Sequence, residues 1–125
     1  MTTPLLIKGF RALAVIAGYL VLKHGTGGVT LATAATDPLV GAAGSMGAPQ
    51  GGMVDVDMAG WSEVRLGGDV SAGDPLTVNG SSKAIKAVPT ASTVVRIIGF
   101  AMSDGTADDI ISYQIAPGIL TKPSA

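Results

Sequence analysis

The chain has 125 residues, 47% of them hydrophobic and 14% charged, with a net charge of −1. That length suits one domain around a single core and leaves no room for a substrate domain beside a cofactor domain. Eight basic residues scattered singly form no cationic stripe for phosphates, 4% aromatics form no platform for stacked bases, and zero cysteines remove disulfides, thiolate metal sites and a cysteine nucleophile together.

So low a charge content leaves a monomer short of solvated groups, and apolar surface is expected to end against a partner. Eighteen glycines point to many turns, with a core of Ala, Val, Ile and Leu. The absence of cysteine also fits folding in a reducing compartment.

Residues 1–20 read as an apolar N-terminal arm carrying Leu5, Leu6, Ile7 and Phe10. The run from Phe10 to Leu22 resembles a signal-peptide core, but Arg11 interrupts it and no small-x-small cleavage site follows closely. It is too short to span a bilayer, which takes about 20 apolar residues. A buried first strand is predicted around residues 19–23, with a short helix over residues 11–16 as the other option.

After the turn at Gly25, Gly27 and Gly28, residues 29–33 alternate as a strand, and Asp37-Pro38 ends that unit. Residues 38–60 and 96–118 then read as two copies of one pattern. Aligning Val40-Gly41 with Ile98-Gly99 brings Val54, Val56 and Met58 into step with Ile111, Tyr113 and Ile115. A strand has a side-chain period of two, so matched parity turns the same face of both copies to a core.

Between the copies, residues 61–66 form a half-buried strand with Val64 and Leu66 inward and Trp61, Glu63 and Arg65 outward. Asn79-Gly80 tolerates positive φ and predicts a hairpin joining residues 76–78 to 84–87. Residues 89–93 read as a loop, and residues 119–125 as a loose tail. The closely spaced strands predict an all-β fold, a small antiparallel β-barrel or sandwich.

Chemistry is sparse. His24 is the single histidine, and no serine lies in a nucleophile-elbow setting, so it reads as an exposed turn residue. Asp55 and Asp57 share a strand face at about 7 Å, a spacing open to a hard cation but usual for a solvated edge. The run Asp104, Asp108, Asp109 lacks the frame of a calcium loop. Trp61 reads as an interface anchor, because aromatics concentrate at the centres of binding patches. No catalytic, cofactor or metal residue is predicted.

The order of residues 68–76, Gly68-x-Val70-x-x-Gly73-Asp74-x-Leu76, resembles the turn of biotinyl and lipoyl carrier domains. The hairpin tip, however, holds Asn79, Gly80, Ser81 and Ser82, and neither Lys83 nor Lys86 has the flanking residues that modifying enzymes read.

Four blocks carry a broader likeness: Val21-Leu22-Lys23-His24-Gly25; residues 32–41, with Asp37-Pro38-Leu39-Val40-Gly41; residues 67–77, with Gly73-Asp74-Pro75-Leu76; and Ile97-Ile98-Gly99-Phe100-Ala101 followed by Asp108-Asp109-Ile110-Ile111. In that order and spacing, residues 21–118 resemble the capsid cement, or head decoration, proteins of tailed bacteriophages. The resemblance implies a β-tulip-like decoration domain over residues 21–118 between the arm and the tail. It also implies a homotrimer made in the host cytoplasm that binds the major capsid protein on the outer surface of the virion and bridges capsomers. It implies no enzyme activity, cofactor, nucleic acid or membrane. Leu5, Leu6, Ile7, Phe10 and Trp61 are the expected capsid or subunit contacts, the arm adding a strand to an exposed sheet edge of a neighbour. The alternatives are a secreted β-barrel binding a glycan or receptor through the Trp61 face, and a carrier modified on Lys83 or Lys86.

Overall fold

The computed structural model describes residues 3–88 and 94–121, so the loop expected at residues 89–93 and residues 122–125 of the expected tail lie outside the described residues. Among the described residues there is no helix. The strands are β1 (Thr3–Arg11), β2 (Val21–Gly25), β3 (Gly28–Leu31), β4 (Leu39–Ala42), β5 (Met53–Arg65), β6 (Pro75–Val78), β7 (Ala84–Lys86), β8 (Val94–Ala101) and β9 (Ile110–Thr121). One sheet runs in the order β1-β5-β9-β8-β6-β7 and a second in the order β3-β2-β4, with every strand pairing antiparallel. The fold is all-β and sandwich-like. The larger sheet curls until Leu66 meets Ala84 of β7 across one isolated bridge, which stops short of a closed barrel.

Two apolar clusters fill the interior, one around Leu22, Val29, Val40, Val54 and Val56, the other around Val64, Leu66, Leu76, Ile98 and Tyr113. The long strand β5 serves both. Its first part lends Val54 and Val56 to one cluster, and its second part lends Val64, followed directly by Leu66, to the other.

The predicted repeat is present and wider than the sequence suggests. Parity holds: Val54, Val56, Ile111 and Tyr113 are buried, with Met58 and Ile115 half-buried at the ends. The hydrogen bonds repeat with it. Gly44 N–H donates to Asp55 O at 2.9 Å, as Met102 does to Ser112 O at 3.0 Å. Leu22 pairs with Gly41 as Leu76 pairs with Gly99. The parallel bridge of Ala12 with Val29 recurs as Leu66 with Ala84, and the reciprocal bonds of Ile16 with Ala48 recur as Val70 with Gly105. Even the left-handed residues match, Tyr19 (φ 66°) with Gly73 (φ 91°) and Gly51 (φ 82°) with Asp108 (φ 70°). The chain is therefore two copies of one five-stranded unit fused through β5, which ends the first and begins the second.

Three expectations differ from the structure. The arm expected to add a strand to a neighbour's sheet forms β1, paired along Thr3–Arg11 with β5 in the chain's own sheet. Its counterpart in the second copy is the latter part of β5, so the duplication itself supplies β1 with an internal partner. The helix option over residues 11–16 is replaced by the bridges of Ala12 and Ile16. Residues 119–121 continue β9 by pairing with Val94, Val95 and Arg96 of β8.

Gly41 and Gly99 occupy equivalent positions, each beside a register shift, with φ of 152° and 157°. A Cβ on Gly99 would lie 1.9 Å from the carbonyl oxygen of Gln114, whereas one on Gly41 would first meet Val56 Cγ1 at 3.3 Å. Backbone yields less readily than a side-chain tip, so Gly99→Ala is expected to cost about 2–3 kcal/mol and Gly41→Ala about 1 kcal/mol. Paired denaturant melts check the difference; equal costs would contradict the close approach at Gly99.

Candidate functional site

The groups that sequence reading singles out for chemistry do not converge. His24 is exposed on β2 and stands edge-on to Phe10, ring centroids 6.1 Å apart. Asp57 accepts the Ser62 hydroxyl proton at 2.6 Å, while Asp55 is exposed at the rim of the same shallow groove of about 340 Å³, which Tyr19, Met46 and Glu63 also line. No group of three or more metal-ligating side chains exists among the described residues.

The acidic loop is tied internally. The Asp109 carboxylate accepts Thr106 N–H at 2.9 Å, Asp104 accepts Ala72 N–H at 2.8 Å, and Lys83 Nζ lies 2.6 Å from Asp108, holding that carboxyl below the usual range. These carboxylates replace missing backbone partners in turns.

Lys83 closes the β6–β7 turn with its ammonium held 2.6 Å from Asp108, and Lys86 lies 3.9 Å from Asp74. The tip is shaped by Asn79, whose side-chain oxygen accepts the N–H groups of Ser81 and Lys83 at 2.9 and 3.1 Å. A carrier hairpin presents a free lysine at the turn, whereas both lysines here are held by carboxylates.

Asp37 plays a similar structural part. Its carboxyl is held below the usual range chiefly by the N–H of Thr33 at 3.0 Å, then by Ala34 and Lys23, despite some desolvation. Asp37→Ala is expected to lower stability by about 1 kcal/mol at neutral pH, read from a thermal melt, and by progressively less as the pH falls below the ordinary carboxylate range and the wild-type carboxyl loses its charge.

What the structure does bring together is an apolar patch on the outward face of β5, β9 and β8. Register places Trp61 opposite Gln114, Gln114 opposite Phe100, and Phe100 opposite Pro75. Trp61 is 45% exposed, and Phe100, Met102 and Ile110 are each 38% exposed. Gln114, Glu63 and Arg65 lie on the same face, and Arg65 donates to the carbonyl of Asp108 at 3.0 Å. Polar groups around exposed aromatics are the layout of a protein contact, with the aromatics as anchors.

Trp61 was legible as outward-facing from its strand. Phe100 was not: Ile97, Ile98 and Gly99 are all buried in a row, and only the register shift at Gly99 turns the next side chain outward. Leu6 and Ile7 lie on β1 opposite Ala59 and Asp57, and Leu5 falls at the register shift beside them, away from the Trp61 row except where Thr3 meets Trp61. Phe10 is half-buried against the first cluster.

Tyr113 joins the two copies. Its ring is fully buried, and its hydroxyl accepts Ala42 N–H at 3.2 Å from the first copy. Burial pushes its phenol well above the usual range. An unfolded tyrosine ionises near pH 10 while the native one stays neutral, so this group stabilises the fold fully below about pH 10 and progressively less above it. The fall in melting temperature between pH 9 and 11 is expected to be smaller in Tyr113→Phe than in wild type; identical falls would contradict the buried assignment.

No helix among the described residues is long and apolar enough to cross a membrane. No protein-family model and no curated protein matches the chain. Among solved structures, the N base of head fiber gp8.5 in bacteriophage phi29 has a similar fold, with a TM-score of 0.63 and 19% identity over 94% of this chain and 98% of that one.

Proposed function

We propose that this chain is a structural protein of a tailed-bacteriophage virion that binds the outer surface of the assembled head and braces neighbouring capsomers. The observation that carries the proposal is the outward Trp61–Phe100 face on a fold shared, end to end, with the base of a phage head fiber. Such a role needs rigid strands and apolar contact area, and the duplicated β unit supplies both. It needs no reaction centre, and Asp37, Asp104, Asp108 and Asp109 are spent on turns and ion pairs.

A stable interface buries about 1,200–2,000 Å², within reach of one sheet face of each of three subunits. A homotrimer holding three lattice sites turns modest single-site affinity into slow release, because the second and third contacts form at high effective concentration. The major capsid protein is the partner in this reading, and synthesis takes place in the host cytoplasm.

The alternative, a glycan bound through Trp61, draws on the same exposed ring beside Gln114 and Glu63. Pelleting separates the two. Added to undecorated heads of the phage that encodes it, the chain is expected to sediment with them to saturation, and Trp61→Ala to weaken that binding at least tenfold. A chain that stays in the supernatant and binds an oligosaccharide saturably overturns the proposal.

A further inference from the structure

Inside the chain, one copy of the unit is docked on the other. The outward side chains Val21 and Ala42, with Ala32, are 0%, 1% and 0% exposed because they close one side of the second cluster. Val21 N–H donates to Ser82 O at 2.8 Å, and Ala42 N–H to the Tyr113 hydroxyl.

The second copy repeats the docking face. Pro75 pairs with Phe100 where Val21 pairs with Ala42. Yet Pro75 is half-buried and Phe100 is exposed, and the row continues into exposed Trp61. The receiving end is repeated too. Val64 and Val78, which the first copy covers, are 0% and 3% exposed, while their counterparts Phe10 and His24 are half-buried and exposed. Each chain thus carries a docking face left open at Pro75 and Phe100, with Ala87 in the place of Ala32 already covered, and a receiving end that no second unit covers, at opposite ends of the duplication.

The geometry points to a head-to-tail contact in which the Pro75–Phe100–Trp61 face of one chain seats on the Phe10–His24 end of a second copy of this chain. Side-chain sizes trade consistently. Within the chain small Ala42 meets large Tyr113; between chains large Phe100 comes to the position where Val56 stands in for Tyr113. The ends of the chain fall in place as well. Since β5 leads from the first copy into the second, the same docking between chains brings the end of β9 toward the start of the next chain's β1. The two surfaces differ, so the contact is heterologous and is finite only if it closes into a ring. Closure after three chains gives the homotrimer of the proposed function. The inference refines the self-association in that reading: with the Trp61 face spent between chains, the loss of head binding expected of Trp61→Ala follows from losing the three-site hold.

The test needs no heads. Because the chain has no cysteine, Pro75→Cys and Thr26→Cys can be placed in separate chains; Thr26 is the counterpart of Ser81, which adjoins the Ser82 that receives Val21. With a short bismaleimide, the mixture is expected to give covalent pairs of unlike chains, and either variant alone to give none. Phe100→Asp is expected to shift sedimentation of the wild-type chain from oligomer to the 12.4 kDa single chain with an unchanged circular-dichroism spectrum. Cross-linking of Pro75→Cys to itself, no unlike pairs in the mixture, or a wild-type chain that sediments as a monomer overturns the contact. Should Phe100→Asp fail to fold, the cross-linking pattern decides. Loss of head binding with this pattern intact would count against the capsid reading alone.

Discussion

Deletion of residues 2–20 is expected to unfold the whole chain. The deletion strips β1 from β5, exposing strand backbone that now pairs from Met53 to Trp61. It removes Ala12 and Ile16 from the first cluster, together with the bonds that tie Ile16 to Ala48 and Tyr19 O to Arg65 N–H. A domain is stable by about 5–15 kcal/mol in total, and losing a buried Ile side chain alone costs about 2–5 kcal/mol. The remaining clusters share β5, so the damage reaches both. The readout is a far-UV circular-dichroism melt: loss of a cooperative transition is expected, whereas a truncated chain that melts near the wild-type temperature would show β1 to be a detachable arm.

Tyr113→Ala is expected to cost about 3–5 kcal/mol, the usual range for removing a large buried aromatic side chain. The site cannot collapse easily, because Tyr113 is walled by strands on one side and by Ala42 of the other copy. Tyr113→Phe separates the two contributions: the ring stays, and only the partner of Ala42 N–H is lost, for about 1–2 kcal/mol. At roughly 3–6 °C per kcal/mol for a chain of this size, both effects are read by calorimetry. A Tyr113→Ala protein within about 1 kcal/mol of wild type would mean that the two copies do not depend on this contact.

Much of the fold was legible because strands write their burial with a period of two. Val54 and Val56 against Ile111 and Tyr113 could be matched by parity alone, and Asn79-Gly80 marked its hairpin. The full duplication was not legible, because most of it lives in the backbone. The bridge of Ala12 with Val29 and that of Leu66 with Ala84 occupy equivalent places while sharing no chemistry a sequence comparison would weigh. A left-handed turn can be made by Tyr19 in one copy and Gly73 in the other.

The role of β1 was hidden for a related reason. An apolar segment at a chain end reads alike whether it pairs at home or abroad, and only the vacant edge of β5 decides. The contact face was half legible: Trp61 followed from alternation, whereas Phe100 depends on a register shift that no periodicity announces. Carboxylates that invited metal or catalytic readings are absorbed by backbone N–H groups, Asp109 by the nearby Thr106 and Asp104 by the distant Ala72, a use that composition cannot distinguish from a site.

For the proposed function, the most direct measurement is a cryo-electron-microscopy reconstruction of phage heads of the source that the proposal implies, saturated with the purified protein and compared with bare heads. Extra density is expected on the outer surface at symmetry-related capsomer positions, fitted by the two-copy β unit with its Trp61–Phe100 face against a neighbouring copy. Heads whose surface is unchanged at saturating protein would contradict the account.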